Sequence, residues 1–180
     1  GKYDEAVPLL EQSLKIRQQV LGAEHPDVAS SLRRLALFLR LHLHYNYKTQ
    51  GRRYTEAEPL LIQALEMDLK LLGAEHPSVA TSLNNLASIY ESQGRYTEAE
   101  PLYIYALDMR KKLLGAENPY VATSLNNLAG LYDAQGRYTE AEPLYIQSLE
   151  MYKKLLGAEH PDVATSLNNL AGLYKDQGRY

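Results

Sequence analysis

Tyr54, Tyr96, Tyr138 and Tyr180 stand 42 residues apart. The recurrence is not confined to tyrosine, because residues 73–114 and 115–156 are identical at 32 of 42 positions. Self-similarity at a fixed period of this size marks a stack of supersecondary units, none of which can bury its apolar face alone. That constraint is read ahead of local propensity. It also accounts for an unusual aromatic inventory of fifteen Tyr, one Phe and no Trp, most of it placed by the repeat.

Within one unit, Gly73-Ala74-Glu75-His76-Pro77 ends one helix and starts another. Gly73 suits the left-handed residue just past a helix C-terminus, and Pro77 suits the first helical position, where its missing N–H costs nothing. His76 then falls at the N-cap, where the next unit has Asn118, a better capping residue. In the first helix of the unit Leu83, Leu86, Ala87 and Tyr90 form one apolar stripe, and Gly94-Arg95 breaks it. Thr97-Glu98-Ala99-Glu100 reads as a capping box opening a second helix, whose buried face is Ala99, Leu102, Tyr103, Ala106 and Leu107. Pro101 falls in or just past its first turn, and Lys111 and Lys112 complement the dipole at its end.

The order Leu83, Leu86, Ala87, Tyr90, Gly94, Tyr96, Ala99, Tyr103, Ala106 and Pro119 resembles the tetratricopeptide signature. Leu125-Asn126-Asn127-Leu128-Ala129 and Gly115-Ala116-Glu117-Asn118-Pro119 are similar to its 42-residue kinesin-light-chain variant, which also occurs in bacterial multi-repeat proteins. The resemblance spans nearly the whole chain. It implies an all-α, right-handed superhelical solenoid of antiparallel helix pairs, here eight helices, forming a single repeat domain over 1–180 that is a piece of a longer array. Second-type helices are expected at 3–21, 55–72, 97–114 and 139–156. First-type helices are expected at 26–45, 77–93, 119–135 and 161–177.

The pattern breaks once. The closing Tyr-x-x-Gln-Gly of the first-type helix that starts at Pro26 arrives late, as Tyr47-Lys48-Thr49-Gln50-Gly51, and an extra Arg stands at Arg52-Arg53. The added segment, 39–47, alternates apolar and polar residues, a strand-like period with no sheet to join. Two further helical turns ending near His44 or Tyr45 are expected, then a mobile loop over 46–53. His42 and His44 could chelate a metal from a strand but diverge on a helix, so no metal site is assigned.

The rest of the chain offers little chemistry. It has no cysteine, hence no disulfide or thiolate, and a net charge of −3 gives no general attraction to nucleic acid or anionic lipid. No apolar stretch approaches the ~20 residues that span a bilayer. No phosphate loop, dinucleotide fingerprint or metallopeptidase motif is present, so neither catalytic residues nor a cofactor are assigned. Glu56, Glu58, Glu98, Glu100, Glu140 and Glu142 recur in pairs in first helical turns and read as caps, and His25, His76 and His160 likewise. The repeated tyrosines read as core.

The pairs Asn84-Asn85, Asn126-Asn127 and Asn168-Asn169 differ, because mid-helix Asn is about 0.6 kcal/mol worse than Ala. In tetratricopeptide folds first-type helices line a concave groove, and kinesin light chains hold extended cargo peptides there with Asn and basic residues. The resemblance therefore implies groove rows of Thr81, Asn84, Ser88 and Glu91, then Thr123, Asn126, Gly130 and Asp133, then Thr165, Asn168, Gly172 and Lys175. Asn85, Asn127 and Asn169 adjoin them. An amide offers one acceptor and two donors, enough to bracket a peptide group. The first Asn of each pair is favoured for the ligand side; the alternative is that one of each pair bonds to an adjacent helix or repeat. Arg33 and Arg34 replace the Asn pair in the first unit, with Arg40 beyond, so a preference for acidic peptides is expected only there.

The function expected is a cytoplasmic protein-interaction scaffold that takes an extended peptide or partner helix. The alternatives are a spacer or self-assembling rod, or the sensor arm of a larger signalling protein. Weak head-to-tail self-association is expected from unpartnered apolar stripes: Ala6, Leu9, Leu10 and Leu14 at one end, and Leu167, Leu170, Ala171 and Tyr174 at the other.

Overall fold

The structure is a computed structural model, and it describes residues 2–41 and 50–179. Among these the chain forms α1 (Lys2–Leu21), α2 (Pro26–Leu41), α3 (Gln50–Leu72), α4 (Pro77–Ser92), α5 (Tyr96–Leu114), α6 (Pro119–Ala134), α7 (Tyr138–Leu156) and α8 (Pro161–Asp176). No strand occurs among the described residues. Where a single domain is expected, the chain resolves into two compact units, Gly1–Arg95 and Tyr96–Tyr180. The division falls at the Gly-Arg-Tyr joint between α4 and α5.

Most helix ends fall within one or two residues of expectation. The end of α2, expected at 45, falls outside the described residues, and α3 begins at Gln50, inside the loop expected over 46–53. Gly51 is absorbed into its first turn, and the Arg52-Arg53 that follows consists of good helix formers with no breaker before Pro59. Residues 42–49, with His42, His44 and most of the 39–47 insertion, lie outside the described residues.

The punctuation works through specific bonds. His76 is extended (φ −130°, ψ 140°), and its Nδ1 accepts from Ser78 N at 3.1 Å. His25 and His160 do the same for Asp27 N and Asp162 N, and Asn118 Oδ1 accepts from Tyr120 N at 2.9 Å. Gly73 (φ 81°) and Gly94 (φ 75°) adopt the left-handed conformation that L side chains avoid.

The cores are the apolar stripes. In the first unit Val28, Ala29, Leu32, Ala64 and Met67 pack together, with Leu14 and Leu60 against them. In the second, Ala122, Leu149, Tyr152 and Val163 do so, joined by Met151, Leu156 and Leu170. Of the repeated tyrosines, all expected in the core, Tyr103, Tyr132 and Tyr145 are buried, whereas Tyr54, Tyr96 and Tyr138 are half-buried; Tyr152, which is not repeated, is buried, and Tyr105 and Tyr120 are exposed.

A polar pair is buried alongside these cores. Arg17 Nη1 donates to Ser31 Oγ and Arg110 Nη1 to Ser124 Oγ, both at 2.7 Å, while Ser82 Oγ donates to Asp68 at the same distance. Each pair is separated by 14 residues, so in α1, α3 and α5 one position binds the serine of the following first-type helix. Arg110 also donates to the Tyr120 carbonyl at 3.1 Å, and burial pushes its guanidinium pKa down. In α7 the matching residue is Tyr152, which pairs instead with Thr123 at 2.7 Å. Ser166 Oγ is left buried without a partner.

Candidate protein-binding site

In the first unit, first-type helices α2 and α4 lie side by side. Between them is a cavity of about 360 Å3 lined by Ser30, Arg33, Arg34, Leu37, Phe38, Thr81 and Asn85. Leu37 and Phe38 sit a turn beyond Arg33 and Arg34, so the i, i+3, i+4 spacing delivers apolar and basic groups to one face. Arg34 is exposed.

Arg33 is not available to a ligand in the way its position suggests. Its Nη1 is bonded to Asp68, which is 1% exposed, and to Ser82 Oγ at 3.2 Å. Two departures from the repeat compensate each other, since later units place Asn at the position of Arg33 and Arg or Tyr at that of Asp68. A buried carboxylate needs such a partner. Arg40 donates to Ser88 Oγ at 2.7 Å. Both Arg33 and Arg34 line the cavity, but Arg33 is paired with Asp68 while Arg34 is exposed.

The order within the first Asn pair is the reverse of the favoured one. Asn84 is 7% exposed, and Asn85 lines the cavity. In the second unit Asn169 Nδ2 donates to Asn126 Oδ1 at 3.0 Å, joining α6 to α8. The alternative that one Asn of a pair bonds across repeats is thus realised there. The bond uses one donor of Asn169 and the acceptor of Asn126, while Asn127 is half-buried and Asn168 exposed. Thr81, Thr123 and Thr165 each return a hydroxyl to the carbonyl four residues earlier, at 3.0–3.1 Å.

Asp133, seven residues after Asn126, has a buried Oδ1 without a hydrogen-bond partner. Burial, then the neighbouring Asp176, pushes its carboxyl pKa up.

Glu98 and Glu140 fall in first helical turns, as expected, but Thr139 does not form the capping box in α7. Helix α7 begins at Tyr138, its N-cap is Arg137, and no side chain caps it. Starting the helix one residue early puts Thr139 inside the first turn, where it cannot cap. Glu58, Glu100 and Glu142 instead accept from Arg95, Arg137 and Arg179, each 37 residues on, at 2.8–3.0 Å. Each arginine also lies over a tyrosine ring: Arg95 over Tyr90 and Arg137 over Tyr132 at 4.0 Å, and Arg179 over Tyr174 at 4.3 Å. Gln93, Gln135 and Gln177 accept from the same three guanidiniums. Glu140 binds Arg137 twice, at 2.7 Å. These bonds hold the Glu140 and Glu142 carboxyls below the usual carboxylate range. Burial, then the bond to Glu100, raises the Tyr132 phenol. The signal for this cluster was the fixed Tyr-x-x-Gln-Gly-Arg string, which spacing alone did not tie to a glutamate in the preceding helix.

No group of His, Asp and Glu that could hold a metal occurs among the described residues, and none of their helices is long and apolar enough to cross a membrane.

Helix pairs punctuated by His-Pro or Asn-Pro starts and Gly-Arg-Tyr joints, with polar residues on first-type helices, define a helical-repeat protein of the kind that binds other proteins. The tetratricopeptide repeat family model matches residues 1–46, 41–112, 80–154 and 120–180, and the chain belongs to that family. Among solved structures it is similar to a Podospora anserina protein provisionally described as a kinesin light chain with nearly identical TPR-like repeats. The identity is 34%, with a TM-score of 0.71, over 99% of this chain and 81% of that one. A single-substitution variant of that same protein gives 33% identity and a TM-score of 0.72, over 99% and 80% of the two chains. BtubC (BKLC) from P. vanneervenii gives 28% identity and a TM-score of 0.71, over 99% and 68%. No curated protein matches the sequence.

Proposed function

We propose that the chain is a cytoplasmic scaffold, without catalytic activity of its own, that binds an extended peptide or partner helix along its first-type helices. Tetratricopeptide repeats mediate protein–protein interaction, and the similarity to kinesin-light-chain-like repeats supports that class. The observation that carries the groove reading is the cavity between α2 and α4, where Leu37 and Phe38 offer apolar surface beside the amide of Asn85 and the guanidinium of Arg34. In the second unit the Asn126–Asn169 pair keeps amide donors free for a peptide carbonyl. A peptide-array screen with the whole chain tests this. Asn85→Ala and Asn169→Ala should each weaken a selected peptide by about tenfold with the fold intact. Binding left unchanged by both substitutions would refute the reading.

A further inference from the structure

A second cavity of the first unit, about 280 Å3 in volume, lies between α3 and the loop that joins α1 to α2. Ala23 and Glu24 of the loop line it, with Gln63, Glu66, Met67 and Lys70 of α3. The last four follow the i, i+3, i+4, i+7 spacing of one helix face. Met67 is 7% exposed and continues the core of that unit, whereas Gln63, Glu66 and Lys70 are exposed. Lys70 Nζ donates to Glu24 Oε1, and Glu66 makes no ion pair among the described residues. Glu24 and Glu66 against Lys70 leave the lining with a net formal charge of −1.

The same six residue types recur in the second unit, as Ala116 and Glu117 before α6 and Gln147, Glu150, Met151 and Lys154 on α7. There Lys154 Nζ donates to Glu117 Oε1, as Lys70 does to Glu24. Residues 54–72 and 138–156 differ at four places, Leu61 against Tyr145, Ala64 against Ser148, Asp68 against Tyr152 and Leu69 against Lys153. The first three are buried in both helices, while the exposed Gln63, Glu66 and Lys70 are unchanged. Exposed residues ordinarily drift because substitution there costs little, and packing restrains buried ones. The reverse pattern means that something outside the fold holds the exposed set. Those positions can vary, since α5 has Tyr105 and Asp108 where α3 has Gln63 and Glu66. Both loops and both helices lie inside the chain, each with a helix before and after it.

We infer that the cavity on α3 and the matching set on α7 each take an arginine side chain of a partner protein. The apolar stem lies along the methionine. The planar guanidinium, with five donors, serves the Glu66 carboxylate and the Gln63 amide oxygen together. A guanidinium is also more weakly hydrated than an ammonium, so it loses less on entering a half-enclosed site. Both sites stand on second-type helices, so the inference is independent of the groove between first-type helices.

The test is methyl NMR on the whole chain, which has three methionines, Met67, Met109 and Met151. N-acetyl-arginine amide is titrated to about 10 mM, because one side chain alone binds weakly. The Met67 and Met151 methyl signals should shift and saturate, with Met109 unmoved. N-acetyl-citrulline amide, which keeps the shape without the charge, should shift neither. N-acetyl-lysine amide should bind several-fold more weakly than the arginine probe. Glu66→Gln should weaken the Met67 response about tenfold and leave that of Met151, and Glu150→Gln should do the reverse. Both glutamates are exposed. Should either variant fail to fold, Gln63→Lys or Gln147→Lys repeats the test by placing a like charge at the site. A missing shift at Met67 or Met151, an equal one at Met109, an equal response to the citrulline or lysine amide, or a glutamate substitution without effect on its own site would overturn the inference.

Discussion

Arg137 donates through Nη1 to Glu100 at 2.9 Å across 37 residues, with its guanidinium 4.0 Å over the Tyr132 ring. The same geometry recurs at Arg95 with Glu58 and at Arg179 with Glu142, so each Gly-Arg-Tyr joint is fastened to the second-type helix before it. A planar, delocalised cation can meet a ring face and a carboxylate together, which an ammonium does poorly. Arg137→Gln should lower the melting temperature by a few degrees, and Arg137→Lys should restore only part of it. Full rescue by Lys would show that charge alone matters.

The Arg33–Asp68 pair makes a sharper prediction. Asp68→Ala leaves Arg33 facing a dry site without its carboxylate and should cost about 3–5 kcal/mol in denaturant unfolding. The double change Arg33→Asn with Asp68→Tyr installs the residues that the repeat has at Asn126 and Tyr152. It should recover most of that loss, whereas additive losses would show that the two positions are not a compensating pair.

Capping gives a third. His76→Ala removes the acceptor for Ser78 N and should cost about 1 kcal/mol, while His76→Asn, copying Asn118, should be neutral or stabilising. Equal melts for the two substitutions would contradict the capping role.

Acid dependence should separate two kinds of carboxylate. The Glu140 and Glu142 pKa values are depressed in the folded chain, so their contribution is full above the ordinary value of 4.5 and is lost as pH falls through the folded values. Asp133 is shifted the other way. Its charged form costs stability at neutral pH, and that cost is relieved as pH falls towards the ordinary 3.8. Asp133→Asn should therefore raise the melting temperature at pH 7 and lose its advantage in acid. The same gain at both pH values would mean that the charge of Asp133 is not the cause.

The fold was legible because a 42-residue period, Gly stops and His-Pro or Asn-Pro starts all point to the same helix pairs. Local chemistry sufficed for the caps, where donor and acceptor lie two residues apart. It failed where partners lie far along the chain. Glu100 looks like a capping residue until the helix is seen to start at Tyr96, and Arg33 looks like a groove residue until Asp68 is found beneath it. The Asn pairs were legible as special, but which amide faces a neighbour depends on the spacing of adjacent repeats, as Asn169 and Asn126 show.

The central claim, that partners bind along the first-type helices, is tested most directly by NMR shift mapping of an array-selected peptide titrated into the whole chain. The account predicts that the side-chain amide signals of Asn85, Asn126 and Asn169 move together with the backbone signals of Leu37 and Phe38. Shifts confined to outward-facing second-type residues such as Ile62 and Tyr105, with those amides unmoved, would contradict it.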